Sequence, residues 1–174
     1  MALVLNATPG DPAANSYCTV AEADSYHEGH LYASTWTAAL TATKEAALVM
    51  ATRLLDERYE WAAFPATTTQ ALQWPRDGSV LDVLQLSYIP STVVPQKLKE
   101  ATAELARQLI ANDSTANSQV ETQGLTELTV GSITLRFKDS VLAKVIPDAV
   151  KNMIPRWWGK MRAANSMMRQ LERW

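Results

Sequence analysis

Residues 43–60 read TKEAALVMATRLLDERYE, and this stretch decides the fold class. Leu48, Ala51, Leu54, Leu55 and Arg58 recur at intervals of three and four, the spacing that aligns side chains along one face of an α-helix. Lys44, Glu45, Arg53, Asp56, Glu57 and Glu60 fall mostly on the other side, which predicts a solvated face. Thr43, a hydroxyl residue just ahead of the run, is the expected N-cap. Toward the N-terminus, Thr19 followed three residues later by Glu22 is a capping box. Val20, Ala23, His27 and His30 lie roughly along one stripe there, predicting a helix over about 19–32. On the other side, Pro95 suits a first helical position. Leu98, Ala101, Leu105, Leu109 and Ile110 form an apolar stripe with Lys97, Lys99, Glu100, Glu104 and Arg107 opposite, predicting a helix over about 95–112. Three amphipathic helices in one chain predict a mainly α fold, a small helical bundle.

The segments between them differ in kind. Residues 6–16, with Pro9, Gly10, Asp11 and Pro12, are punctuated and extended. Residues 62–92 lack a helical period and form a connector, longer than a compact domain usually carries without reason. Residues 112–119 are a polar loop. The period then changes to two around Gly131-Ser132, a plausible two-residue turn. Val130 would face Ile133, Leu128 would face Leu135 and Thr126 would face Phe137, all on one face, while Thr129–Thr134 and Glu127–Arg136 share the other. An opposite-charge cross-strand pair favours such a register by about 0.2–1 kcal/mol. This is the one β-hairpin, over about 125–137, and its apolar face needs cover because a lone hairpin is marginal in water. Ser140 can cap a short segment to Ile146, Pro147 can open another to Ile154, and Pro155 can open a last, Trp-rich one.

The 174 residues, 47% of them hydrophobic, suffice for one core with an appended tail. Formal charge is minus two overall, but it is unevenly placed. Residues 151–174 hold six basic groups against Glu172, net plus five, whereas the other 150 hold ten basic and seventeen acidic groups, net minus seven. The tail also carries Trp157, Trp158 and Trp174, half of the six tryptophans, with Met153, Met161, Met167 and Met168. These types are enriched where proteins touch each other. The expected organisation is therefore a body over 1–150 and an extended C-terminal interaction arm over 151–174. A last amphipathic core helix is the competing account of the same tail. A single cysteine, Cys18, excludes a disulfide framework and a Cys-rich zinc module and fits a reducing compartment. No apolar stretch approaches the eighteen or so residues of a membrane span, and Met1–Leu5 lacks the features of an export signal.

The sequence carries little that points to reaction chemistry. His27 and His30 stand three apart, whereas a zinc-protease helix needs four, and no third histidine exists; a partly exposed helical pair is the expectation. Cys18 precedes a helix start, where a thiolate is favoured, yet lacks a partner at a defined spacing. No nucleophile elbow, phosphate-cradling loop or dinucleotide fingerprint is present. Asp56 and Glu60, one turn apart, are explained by a charged helix face. Trp74-Pro75-Arg76 could stack on bases and hold a phosphate, but an indole pinning the connector to the core, with Arg76 paired to a carboxylate, accounts for it better. No cofactor, metal or enzymatic role is expected.

The ordered motifs Ser16-Tyr17, Glu22-Ala23-Asp24-Ser25-Tyr26-His27, Trp36, Lys44-Glu45-Ala46-Ala47-Leu48 and Ala51-Thr52-Arg53-Leu54-Leu55-Asp56 carry a resemblance. It continues through Gln70-Ala71-Leu72-Gln73-Trp74-Pro75-Arg76, Ile89-Pro90 and Val130-Gly131-Ser132-Ile133, covering about residues 16–140. The chain resembles the head-tail adaptor (connector, head-completion) proteins of tailed bacteriophages, in the group labelled "DnaT-like putative single-stranded-DNA-binding protein". The resemblance implies a virion structural protein, made in the bacterial cytoplasm and placed at the neck. It implies a ring, commonly of twelve copies, beneath the portal, extending the DNA channel and linking it to tail proteins. Expected partners are further copies, the portal, tail or nozzle proteins and passing genomic DNA, with no membrane. The expected portal contacts are Trp157, Trp158, Arg162, Met168, Arg169 and Trp174. The alternative expectation is a single-stranded-DNA-binding protein of phage replication, for which the overall charge gives no support.

Overall fold

A computed structural model describes residues 3–83, 86–113, 127–130, 133–136 and 145–162. Its described residues form five helices and three two-stranded antiparallel ribbons, a mainly helical fold. Helix α1 (Val20–Glu28) starts as the capping box requires: Thr19 Oγ1 accepts from the Glu22 amide, and the Glu22 carboxylate accepts from the Thr19 amide at 2.8 Å. It stops at Glu28 rather than near Tyr32, because Gly29 takes the C-cap and the His30 amide returns to the His27 carbonyl. A single turn, α2 (Ser34–Thr37), follows, too short to show a period in sequence; it buries Trp36, whose Nε1 donates to Asp24 at 2.7 Å.

Helix α3 (Thr41–Arg58) spans most of the deciding stretch, beginning two residues early and giving way at Tyr59 to a strand, β1 (Tyr59–Trp61). The Leu40 carbonyl accepts from the Thr43 and Lys44 amides, so Leu40 is the N-cap and Thr43 lies within the first turn. Its stripe buries Leu48, Ala51, Leu54 and Leu55, while Arg58 is exposed. Asp56, expected on the wet face, is turned inward. It accepts from the Tyr17 hydroxyl, from Trp61 Nε1 at 3.1 Å and from the Gln73 amide at 3.2 Å, tying the N-terminal segment and the connector to α3.

Helix α4 (Gln96–Ala111), capped by Pro95, is the centre of the molecule and packs against α1, α2, α3 and the later α5 (Asp148–Met153). A helix enclosed by four others has little solvated face. Residues 101–106 are all buried, including Glu104, which the sequence pattern placed opposite the core. Burial alone would raise the Glu104 carboxyl, but hydrogen bonds from Arg107 and Gln108 outweigh it and hold the group below the usual carboxylate range.

The long connector is ordered by Arg76. This residue is 4% exposed, and its guanidinium donates to the carbonyls of Ala62 at 2.9 Å, Gln73 at 2.8 Å, Trp61 at 3.4 Å and Ala63. The expected carboxylate partner is thus replaced by backbone oxygens, for which a planar fork of five donors is well shaped. The adjoining Trp74–Pro75 peptide is cis, and the Trp74 indole is buried in the core, as its expected pinning role requires. Beyond it the connector forms a short ribbon, β2 (Leu81–Asp82) with β3 (Ser87–Tyr88).

The hairpin has the register its alternation predicts. β4 (Glu127–Val130) pairs with β5 (Ile133–Arg136) through Glu127–Arg136, Leu128–Leu135, Thr129–Thr134 and Val130–Ile133. Thr126–Phe137 and the turn residues Gly131 and Ser132 lie outside the described residues. The C-terminal region departs from expectation. Ile146, Val150, Ile154 and Trp158 are all buried against the helices, and β6 (Gly159–Met161) pairs with β1 (Tyr59–Trp61). Residues 151–161 therefore belong to the body, and the expected division after residue 150 falls inside α5. Gly159 faces Trp61 so closely that a Cβ there would stand 2.9 Å from the Glu60 carbonyl oxygen, which leaves only glycine at that register position. No described helix is long and apolar enough to cross a membrane.

Candidate functional site

The surface near the chain's end is set by which tryptophan turns inward. Pro155 opens a turn closed by the Trp158 amide on the Pro155 carbonyl at 3.0 Å, and the chain then enters β6. In this geometry Trp158 enters the core beside Trp74, ring centroids 5.7 Å apart, and is 2% exposed. Trp157 points out and is 42% exposed. Of the six residues expected to form one contact surface, Trp158 is thus a core residue. Arg162 is exposed but lies in a separate depression with Arg53, Asp56 and Glu57. Met168, Arg169 and Trp174 lie outside the described residues.

What Trp157 joins instead is a cleft of about 780 Å3 between α4, α5 and β6. Its inner surface is apolar, from Tyr59, Ile154, Met153 and Met161, which are buried or half-buried. Lys97, Lys151, Arg156 and Lys160 line it as well, and all four are exposed. Among the described residues one carboxylate, Asp148, lines the cleft, and Glu60 stands opposite Lys160 across the β1–β6 ribbon. A protein whose net charge is minus two thus concentrates cations around one exposed indole. The contribution of Lys97 was missed in sequence because it sits 54 residues before Lys151, among charges assigned to a solvated helix face. The inward turn of Trp158 had a usable signal in the four-residue spacing Ile146, Val150, Ile154, Trp158, an apolar row leading into the core.

The other candidates are structural. His27 is not half of an exposed pair: it is buried, its Nε2 lies 3.2 Å from the Ala103 carbonyl, and burial lowers its pKa. His30 lies past the helix, 3.6 Å from Glu104. No cluster of metal-ligating groups occurs among the described residues. Cys18 is buried, and burial, with Glu22 nearby, pushes its thiol up to about 12. Reaction requires thiolate, so a thiol reagent at pH 8 is expected to leave the native protein unmodified and to label it fully after unfolding in urea. Stoichiometric labelling of the folded protein would show that the helix start activates this cysteine after all.

The family model described as "Putative DnaT-like ssDNA binding protein" matches residues 1–174. No curated protein matches the chain, and no solved structure does.

Proposed function

We propose that this chain, which belongs to the DnaT-like ssDNA binding family, binds single-stranded DNA along the cleft of Lys97, Lys151, Arg156 and Lys160. The observation that carries this reading is the exposed Trp157 set among those four cations. Single strands are held by stacking bases on aromatic faces while cations track the backbone, and a stacked base is worth about 1–3 kcal/mol. An unpaired base can reach an indole at the mouth of a cleft, whereas a base inside a duplex cannot. The acidic body confines attraction to this place, which keeps the electrostatic share of binding small. With about four phosphates neutralised, log K is expected to fall with log salt at a slope no steeper than about −3, since each contributes roughly −0.7 on single strands. Anisotropy of a labelled oligodeoxynucleotide measures this directly. Absence of binding at low salt, or affinity unchanged by Lys160→Ala and Arg156→Ala, would reject the reading.

A second reading, the head-tail adaptor ring, is favoured by a different observation. Leu31, Leu40, Phe64 and Leu86 are 76–86% exposed on four separate loops. Isolated exposed apolar side chains are ordinary, but a ring needs two unlike patches on every subunit, and such loops supply contact residues on several sides. In that reading copies assemble, in twelves by the family resemblance, beneath a phage portal. Trp157, Arg162 and the Met168, Arg169 and Trp174 of the chain's last segment then meet the portal, and no reaction is performed. Native mass measurement of the protein alone and mixed with portal distinguishes the two: a ring that forms only with portal favours the adaptor, and a free protein that binds oligonucleotide but never portal favours the first reading.

A further inference from the structure

Lys97 also lines a second groove, of about 570 Å3, on its other side, where the chemistry differs. Tyr88 of β3, 66% exposed, stands on one flank, and Asp82 and Glu100 both line it. Lys97 is its only cation among the described residues. Two carboxylates beside one lysine disfavour a phosphate, yet they sit next to a cleft whose cations favour one. Glu100 is held in place by Gln96, whose Nε2 donates to Oε1 at 3.2 Å, and a carboxylate retains further acceptor positions. Among the groups of a DNA strand, an exposed phenol ring and an oriented acceptor lining one groove fit a planar base carrying an exocyclic amine.

We propose that this groove is a base-reading subsite, in which Tyr88 stacks one base of a strand held in the neighbouring cleft and Glu100 accepts a hydrogen bond from its amino group. The inference rests on the single-stranded-DNA reading above and adds to it a preference for cytosine over thymine. Cytosine presents an N4 amine that pairs naturally with a carboxylate acceptor, while thymine presents carbonyl oxygens that a carboxylate repels. Adenine and guanine carry exocyclic amines too; cytosine and thymine, alike in size, isolate the contribution of the amine. Lys97, shared by both depressions, marks where the backbone passes between them.

The test compares dodecamers of deoxycytidine and deoxythymidine by anisotropy at fixed low salt. Wild-type protein is expected to bind the cytosine strand about tenfold more tightly. Glu100→Gln is expected to erase that ratio, weakening the cytosine strand and strengthening the thymine strand as the repelling charge is removed, and Tyr88→Ala is expected to weaken both strands. Equal affinity of wild-type protein for the two strands, or a ratio that survives Glu100→Gln, overturns the subsite but leaves the cleft reading intact. If neither strand binds, both fall together. Urea unfolding of each variant, with midpoints matching wild type, shows that the groups act on the ligand and not on folding.

Discussion

Arg76→Met is expected to lower the unfolding free energy by about 3–5 kcal/mol, because several carbonyls lose their donor at once, each at a cost where water cannot replace it. The side chain sits at 4% exposure and donates to four backbone carbonyls of residues 61–73. Methionine fills much of the same volume without a donor, so each oxygen left without water costs about 1–3 kcal/mol. The segment concerned includes Trp61 and Trp74, and their rings lie 5.9 Å apart, so loosening the connector also loosens the aromatic core. Arg76→Lys is expected to rescue little. A single ammonium has three donors at one point and cannot reach oxygens spread around a planar fork. Urea unfolding followed by tryptophan fluorescence reads both variants, and an Arg76→Met midpoint within about 1 kcal/mol of wild type would show that the connector is held by its apolar contacts alone.

That residue also marks how far sequence reasoning reached. The pinning role of Trp74 was legible because an indole next to proline in a polar connector has few other uses. The partner of Arg76 was not, because backbone carbonyls have no sequence signature; any stretch of chain supplies them. The same asymmetry runs through the helices. The capping box at Thr19–Glu22 and the hairpin register were readable because each depends on residues close together in the chain. Glu104 and Asp56 were misplaced for the opposite reason. Their periodicity is that of a solvated face, and only the enclosure of α4 by four helices, and the arrival of Tyr17 and Gln73 at Asp56, turns those positions inward. Long-range packing overrode a local pattern: Asp56 is matched by donors from distant segments, and Glu104 by Arg107 and Gln108 one turn along α4.

The candidate surface shows the same limit. The composition of residues 151–174 announced cations and tryptophans, and the cleft uses Lys151, Arg156, Trp157 and Lys160 from that run. What composition could not show is that the run is divided, with Trp158 inside and Trp157 outside, or that a lysine from α4 completes the set. Charge counts find a region; only the fold chooses which of its side chains share a surface.

Separating two adjacent tryptophans gives the second large effect. Trp158→Ala is expected to cost about 3–5 kcal/mol, the usual consequence of emptying a buried aromatic site. The indole is 2% exposed against Trp74, and its removal also loosens β6 from β1, where Gly159 already leaves no side chain to compensate. Trp157→Ala, at an exposed position, is expected to stay within about 0.5 kcal/mol of wild type yet to lose about tenfold in oligonucleotide affinity, the loss of one stacked base. The crossed outcome decides between a surface set by the fold and a tail that acts through composition. In the second case the two neighbours would be interchangeable, equal in stability and equal in binding. If Trp158→Ala unfolds at the wild-type midpoint, the placement of residues 145–162 in the body fails, and the cleft between α4, α5 and β6 fails with it.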